Sequence, residues 1–68
     1  MTGELTFYDR PSAWGLIFGE DGRVYVLHGS QVVGPMPRVS QRVMFEPATT
    51  DRGLRALGVR TLQVASAD

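Results

Sequence analysis

The side chains able to do chemistry are few and scattered. The chain has one histidine, His28, no cysteine, and seven carboxylates: Glu4, Asp9, Glu20, Asp21, Glu46, Asp51 and Asp68. The carboxylates fall mostly in expected turns and at the termini. One histidine without a thiolate gives no metal-binding set of the usual spacing. No serine or threonine is paired with a base and an orienting acid, as nucleophilic catalysis requires. The stretch Gly19-Glu20-Asp21-Gly22 is too short to cradle a phosphate, and no helix follows it. The sequence therefore points away from an enzyme, a metal site or an organic cofactor. What remains is non-covalent chemistry. All seven basic residues are arginines: Arg10, Arg23, Arg38, Arg42, Arg52, Arg55 and Arg60. The plain reading of an arginine-only set is the codon bias of a GC-rich genome. The functional reading is that a guanidinium is a planar fork that stacks on bases, which an ammonium does not do. The seven acids cancel this charge to zero, so no global field draws in polyanions.

These residues must be held by a small scaffold. A chain of 68 residues makes one domain, expected over 1–63, with a frayed tail over 64–68. Short apolar runs alternate with turn signals about every ten residues, the mark of an all-β sandwich or barrel. The runs are 4–9, 14–18, 24–28, 42–46 and 54–62. Asp9-Arg10-Pro11-Ser12 ends the first, and Asp21-Gly22 marks a hairpin after the second. Gly34, Pro35 and Pro37 exclude a regular central strand over 33–40, and Pro47 is expected to end the fourth run. No segment has a helical period of ten residues or more. Five strands in so short a chain expose too much edge as a flat sheet, and curling them into a barrel removes the edges and makes one core. The expected fold is a five-stranded antiparallel Greek-key barrel of the OB type. No secretory leader is read at the start, no run reaches the ~20 apolar residues that cross a bilayer, and a cysteine-free composition suits the reducing cytoplasm. The expected location is therefore cytoplasmic, without a membrane partner.

Five stretches in order resemble the cold-shock domain family. The first is Gly3-Glu4-Leu5-Thr6-Phe7-Tyr8-Asp9, matching the family's opening strand. Ser12-Ala13-Trp14-Gly15-Leu16-Ile17 stands at its first ribonucleoprotein motif. Val24-Tyr25-Val26-Leu27-His28, with Ser30 two residues on, stands at its second. Val43-Met44-Phe45-Glu46 matches a later strand, and Arg52-Gly53-Leu54-Arg55-Ala56-Leu57-Gly58-Val59 matches its ending. The resemblance implies an OB barrel that binds single-stranded RNA or DNA by base stacking on a face made by the second and third strands. It also implies a role such as RNA chaperoning or transcriptional or translational regulation, without catalysis.

Strand alternation puts Trp14, Leu16 and Phe18 on one side of the second strand and Gly15, Ile17 and Gly19 on the other. Val24, Val26 and His28 share one side of the third strand, opposite Tyr25 and Leu27. The resemblance implies that Trp14, Leu16, Val26 and His28 face outward and bind. It adds Phe7 and Tyr8 as rings, and Arg10, Arg38 and Arg55 as phosphate contacts at the rim, with Arg42 and Arg52 beyond them. A bulge could bring the adjacent Phe7 and Tyr8 to one face. Trp14 in the core is the alternative placement, and Met36 in the link reads first as core. The turn before the third strand is about one residue shorter than the family's, and a one-residue slip would exchange that strand's faces, bringing Tyr25 outward. The match of His28 with Ser30 favours the unslipped register.

The departures weaken the expected binding. Leu16 and Val26 stand where the family has rings, and Thr6 and Ser12 stand where it has lysines. Each lost ring removes about 1 kcal/mol or more of stacking, so binding is expected to be weak, with little sequence preference. The rival reading is a protein-interaction or dimerisation module that kept the barrel and lost most nucleic-acid binding. An exposed apolar patch of Trp14, Leu16 and Val26 would suit a homodimer.

Overall fold

The computed structural model describes residues 1–62. The expected tail over 64–68, and the boundary at 63, lie outside the described residues. Five strands are present: β1 (Thr2–Asp9), β2 (Trp14–Gly19), β3 (Val24–His28), β4 (Arg42–Thr50) and β5 (Gly53–Thr61), with one 3₁₀ turn at Gly29–Gln31. They close into a barrel in the order β1-β2-β3-β5-β4. The all-β class and the five-stranded barrel are as the sequence leads one to expect.

One seam differs from the fully antiparallel expectation. β3 and β5 run parallel, with Val26 beside Arg55 and Leu27 beside Ala56. Strand directions cannot alternate all the way round a closed ring with an odd number of strands, so one seam of the five must be parallel. It falls where the irregular link of residues 33–40 carries the chain from β3 across to β4. That link contains no strand, as Gly34, Pro35 and Pro37 require. Its ends are held by strand-like contacts: a bridge between Val32 and Val59 with the Val33 N–H donating to the Val59 carbonyl, and hydrogen bonds from the Ser40 N–H to the Leu5 carbonyl and from the Leu5 N–H to the Gln41 carbonyl.

The core comes from period-two alternation, broken once in β5, where a register shift against β4 between Met44 and Glu46 lets Ala56 and Val59, three residues apart, both turn inward. Leu5, Ile17, Tyr25, Leu27, Val43, Phe45, Ala56 and Val59 are buried, one face of each strand. Tyr25 and Phe45 pack ring against ring, with centroids 5.0 Å apart and planes inclined at 56°. Tyr25 is thus inward and β3 is in the unslipped register, Trp14 opposite His28 and Leu16 opposite Val26. Met36, by contrast, is exposed; Pro37 beside it is the buried residue of the link.

β4 continues through Pro47 to Thr50 rather than stopping at Glu46. It pairs with β1 only at Arg42, Val43 and Met44. Phe45 still exchanges backbone hydrogen bonds with Met1; beyond it that edge is open, and a residue without an N–H is tolerated on an open edge. A bulge in β1 between Leu5 and Phe7 leaves Thr6 without an opposite residue on β2, and the Thr6 hydroxyl donates to the Leu16 carbonyl at 3.2 Å. Gly15 lies opposite Tyr8, just past this bulge. A Cβ there would sit 2.4 Å from the Phe7 carbonyl oxygen, so only glycine allows β1 to come so close.

Candidate functional site

The barrel's outer surface over β1, β2 and β3 is ordered into three transverse rows of paired residues. Asp9, Trp14 and His28 form the first. Phe7, Leu16, Val26, Arg55 and Ala48 form the second, running across all five strands. Arg42, Glu4, Phe18 and Val24 form the third. Period-two alternation turns all three rows outward together, because Leu5, Ile17 and Tyr25 between them turn inward. Phe7 is 43% exposed, Trp14 37%, Phe18 50% and Val24 49%. Leu16 and Val26 are half-buried between them. Trp14 is therefore a surface ring and not a core one.

Trp14 and Phe7 meet at a centroid distance of 5.2 Å with their planes inclined at 53°. A flat ring cannot slide between them at that distance, so they make one angular platform with its free side to solvent. The turn before Trp14 is held by the Asp9 carboxylate, which accepts from the Ser12 hydroxyl and N–H. Ala13 ends that turn in the left-handed region, at φ 56°.

His28 is fixed by its neighbour. The Ser30 N–H donates to His28 Nδ1 at 3.2 Å, and the Ser30 hydroxyl lies 2.8 Å from the same atom. An imidazole nitrogen that accepts from an N–H carries no proton, so the neutral ring bears its hydrogen on Nε2. His28 thereby presents a donor beside Trp14 at the end of the first row.

The bulge expected near Phe7 and Tyr8 is present, but it does not bring both rings to the face. The extra residue is Thr6, which precedes both, so alternation resumes with Phe7 outward and Tyr8 inward. Tyr8 is half-buried against the core, opposite Gly15. Its outer edge lines a shallow groove with Arg10, Met36, Pro37, Arg38 and Val39. Arg10 and Arg38 thus share a groove beside the end of β1. Arg55 projects from the second row next to Val26. Arg52 lines a hollow of the β4–β5 hairpin with Arg55, Asp51 and Leu57. Arg42 ends the third row. The structure gathers Phe7, Trp14, Leu16, Val26, His28 and Arg55 on one face, and sets Tyr8, Arg10 and Arg38 together at its margin. Phe18 belongs to this face although the resemblance assigned it no role. Its alternation with Trp14 and Leu16 was the signal for its placement.

Below the face, the β2–β3 turn is tied down. The Tyr25 hydroxyl donates to Asp21 Oδ2 at 2.6 Å, and the Arg23 N–H donates to Oδ1 at 3.1 Å. The Tyr25 bond, with the Arg23 amide helping, holds the Asp21 carboxyl below its ordinary value of 3.8. The same bond, with partial desolvation, pushes the Tyr25 hydroxyl above 10.0. Glu20 is held below 4.5 by the hydroxyl and N–H of Thr2. Among the described residues no three His, Asp or Glu side chains are gathered so as to hold a metal ion.

No family model and no curated protein matches the chain. Among solved structures it superposes on Drosophila Unr CSD456 with a TM-score of 0.71 over 98% of its length. The fold is that of a cold-shock domain. Sequence identity is 14%, and the chain spans 28% of the length of that structure. The cold-shock-like barrel here thus keeps the fold on a largely different set of side chains. On its outer face each of the three rows carries a ring, and Leu16 and Val26 are the aliphatic residues at the centre.

Proposed function

We propose that this cold-shock-like domain binds single-stranded RNA or DNA by stacking bases on its β1–β2–β3 face. The observation that carries the reading is the outward, ladder-registered cluster of Phe7, Trp14 and His28 with Arg55 at its flank. Exposed rings on a rigid sheet are costly in water and ready for any nucleobase, since every base has a π-face; stacking contributes about 1–3 kcal/mol per base. The rings are already positioned, so little ordering cost opposes binding. Arg55 beside Val26, and Arg10 with Arg38 at the margin, are placed to meet phosphates. The neutral total charge keeps the phosphate contribution small, so binding is weak and mostly indifferent to sequence. By the likeness to a cold-shock structure, the setting is RNA chaperoning or the adjustment of transcription or translation. Titration with oligothymidylate, following the fluorescence of the one tryptophan at two salt concentrations, tests the reading. Quenching that weakens as salt rises supports it. No quenching at low salt with about 1 mM oligonucleotide, far above typical non-specific dissociation constants, rejects it.

A second reading is favoured by the exposure of Phe18 and Val24 next to Leu16 and Val26: a protein-interaction or self-association surface. Apolar contact of that kind holds or strengthens as salt rises, which separates the two in the same titration.

A further inference from the structure

Phe18 is the most exposed of the Phe, Tyr and Trp rings, at 50%, and its pair across the ladder, Val24, is 49% exposed. The aromatic contacts of the described residues are Phe7 with Trp14 and Tyr25 with Phe45; Phe18 takes part in neither. It lies four residues along β2 from Trp14, about 13 Å at the usual rise of a strand, too far for one base to touch both rings. The Leu16–Val26 row between them is half-buried and gives a continuous apolar floor from one to the other.

The charges around Phe18 say what it would take. Glu4 lies beside it in the third row and faces Arg42 on its other side. Glu20 is engaged by Thr2, and Asp21 by Tyr25 and the Arg23 amide. Asp21 thus lies below the face with Tyr25, and the charged neighbour in the ring's own row is Glu4, with Arg42 on its far side. A carboxylate beside the ring disfavours a phosphate at that point, and the ring itself takes an uncharged base. We propose that Phe18, with Val24 beside it, is a second base-stacking subsite, which takes a base further along the same single strand with its phosphates directed away. The proposal rests on the nucleic-acid reading above and extends it. The strand runs along β2 and β3, from the Trp14–His28 end toward the β2–β3 turn, across a middle row that is aliphatic on those two strands, at Leu16 and Val26, and has Phe7 at its β1 end.

The test compares wild type, Phe18→Ala, Phe18→Leu and Phe18→Tyr, using oligothymidylates of about three and about eight nucleotides, the longer within the site sizes of such barrels. Trp14 quenching reports the first platform in every variant, and thermal unfolding checks the fold. The expected result is that Phe18→Ala weakens the longer oligonucleotide about tenfold, one stacked base's worth, and leaves the shorter one unchanged. The slope of affinity against salt stays as in wild type, because no phosphate contact is lost. Phe18→Leu behaves as the alanine variant, and Phe18→Tyr as wild type. Equal affinity of wild type and Phe18→Ala for the longer strand overturns the proposal. So does an equal loss for both lengths, which would make Phe18 a support for the first platform or for the fold. A changed oligomeric state with unchanged oligonucleotide affinity overturns it in favour of a protein surface. If wild type quenches with neither strand, the nucleic-acid reading itself fails and takes this subsite with it.

Discussion

Phe7 and Trp14 touch across the β1–β2 ladder without being paired in it. Phe7 stands opposite Leu16 and Trp14 opposite Asp9, yet their rings come within 5.2 Å. The contact is diagonal, and the bulge at Thr6 makes it possible by resetting β1 before Phe7. The two rings therefore act as one platform.

Removing the larger ring should remove the platform. Trp14→Ala is expected to lower affinity for a fluorescently labelled oligothymidylate between about fivefold and a hundredfold, from the 1–3 kcal/mol of one stacked base. The fold should survive, because Trp14 is a surface ring. Phe7→Ala should cost less, since Trp14 still offers a face. If Trp14→Ala melts cooperatively near the wild-type temperature and binds as tightly as wild type, stacking on this face is wrong.

Arg55 sits between Val26 and Ala48 in the middle row. If it meets one phosphate, Arg55→Gln should weaken binding to every sequence alike and reduce the slope of log affinity against log salt by about 0.7, the value for one single-strand phosphate. Arg60→Gln is the comparison for the middle row, because Arg60 lies off that row, in a groove with Val33, Arg38 and Thr61. An unchanged slope for Arg55→Gln would falsify the phosphate contact.

Much of this arrangement was legible in the residues, and the illegible parts have physical causes. The alternation of Trp14, Leu16 and Phe18 against Gly15, Ile17 and Gly19 settles the faces of β2 directly. The register of β3 could not be read that way, because Val24, Tyr25, Val26 and Leu27 are apolar on both faces. It is decided by the Tyr25 ring packing on Phe45 while its hydroxyl reaches Asp21, a contact no periodicity displays. The inward turn of Tyr8 was hidden because a bulge leaves no mark on composition, and Thr6 rather than Phe7 absorbs it. The extension of β4 past Pro47 was hidden because proline excludes a central strand but not an open edge.

Gly15 makes the close passage of β1 over β2 possible, and it should tolerate no side chain. A Cβ there meets the Phe7 carbonyl oxygen at 2.4 Å and Tyr8 Cδ1 at 2.8 Å. The first of these is backbone and cannot rotate away. Gly15→Ala is expected to destabilise the domain by about 1–3 kcal/mol, as overpacking of a tight site does, read from the urea midpoint at unchanged slope. Gly22→Ala also strains a positive φ, of 82°, but nothing lies within 4 Å of its Cβ, so its loss should be smaller. Equal midpoints for wild type and Gly15→Ala would mean that β1 can lift off β2 without cost.

The Tyr25–Asp21 bond should be visible in the pH dependence of stability. Asp21 has a folded value below its ordinary 3.8, so its contribution is fully present above that pH and is lost as pH falls through the lower folded value. Glu20, held below 4.5, acts in the same direction. Tyr25 has a folded value above 10.0, so its contribution is fully present below pH 10.0 and is lost as pH rises through the higher folded value. Thermal unfolding midpoints should therefore be level through neutral pH and fall at both ends. Tyr25→Phe keeps the ring against Phe45 and deletes the hydroxyl. It should lower the midpoint at neutral pH, reduce the drop at the acid end and abolish the tyrosine-linked drop at the alkaline end. Asp21→Asn should likewise reduce the acid-end drop attributed to Asp21, leaving the part due to Glu20. If Tyr25→Phe melts like wild type from acid to alkaline pH, the 2.6 Å bond contributes nothing to holding the β2–β3 turn, and the register of β3 must rest on the packing of Tyr25 against Phe45 alone.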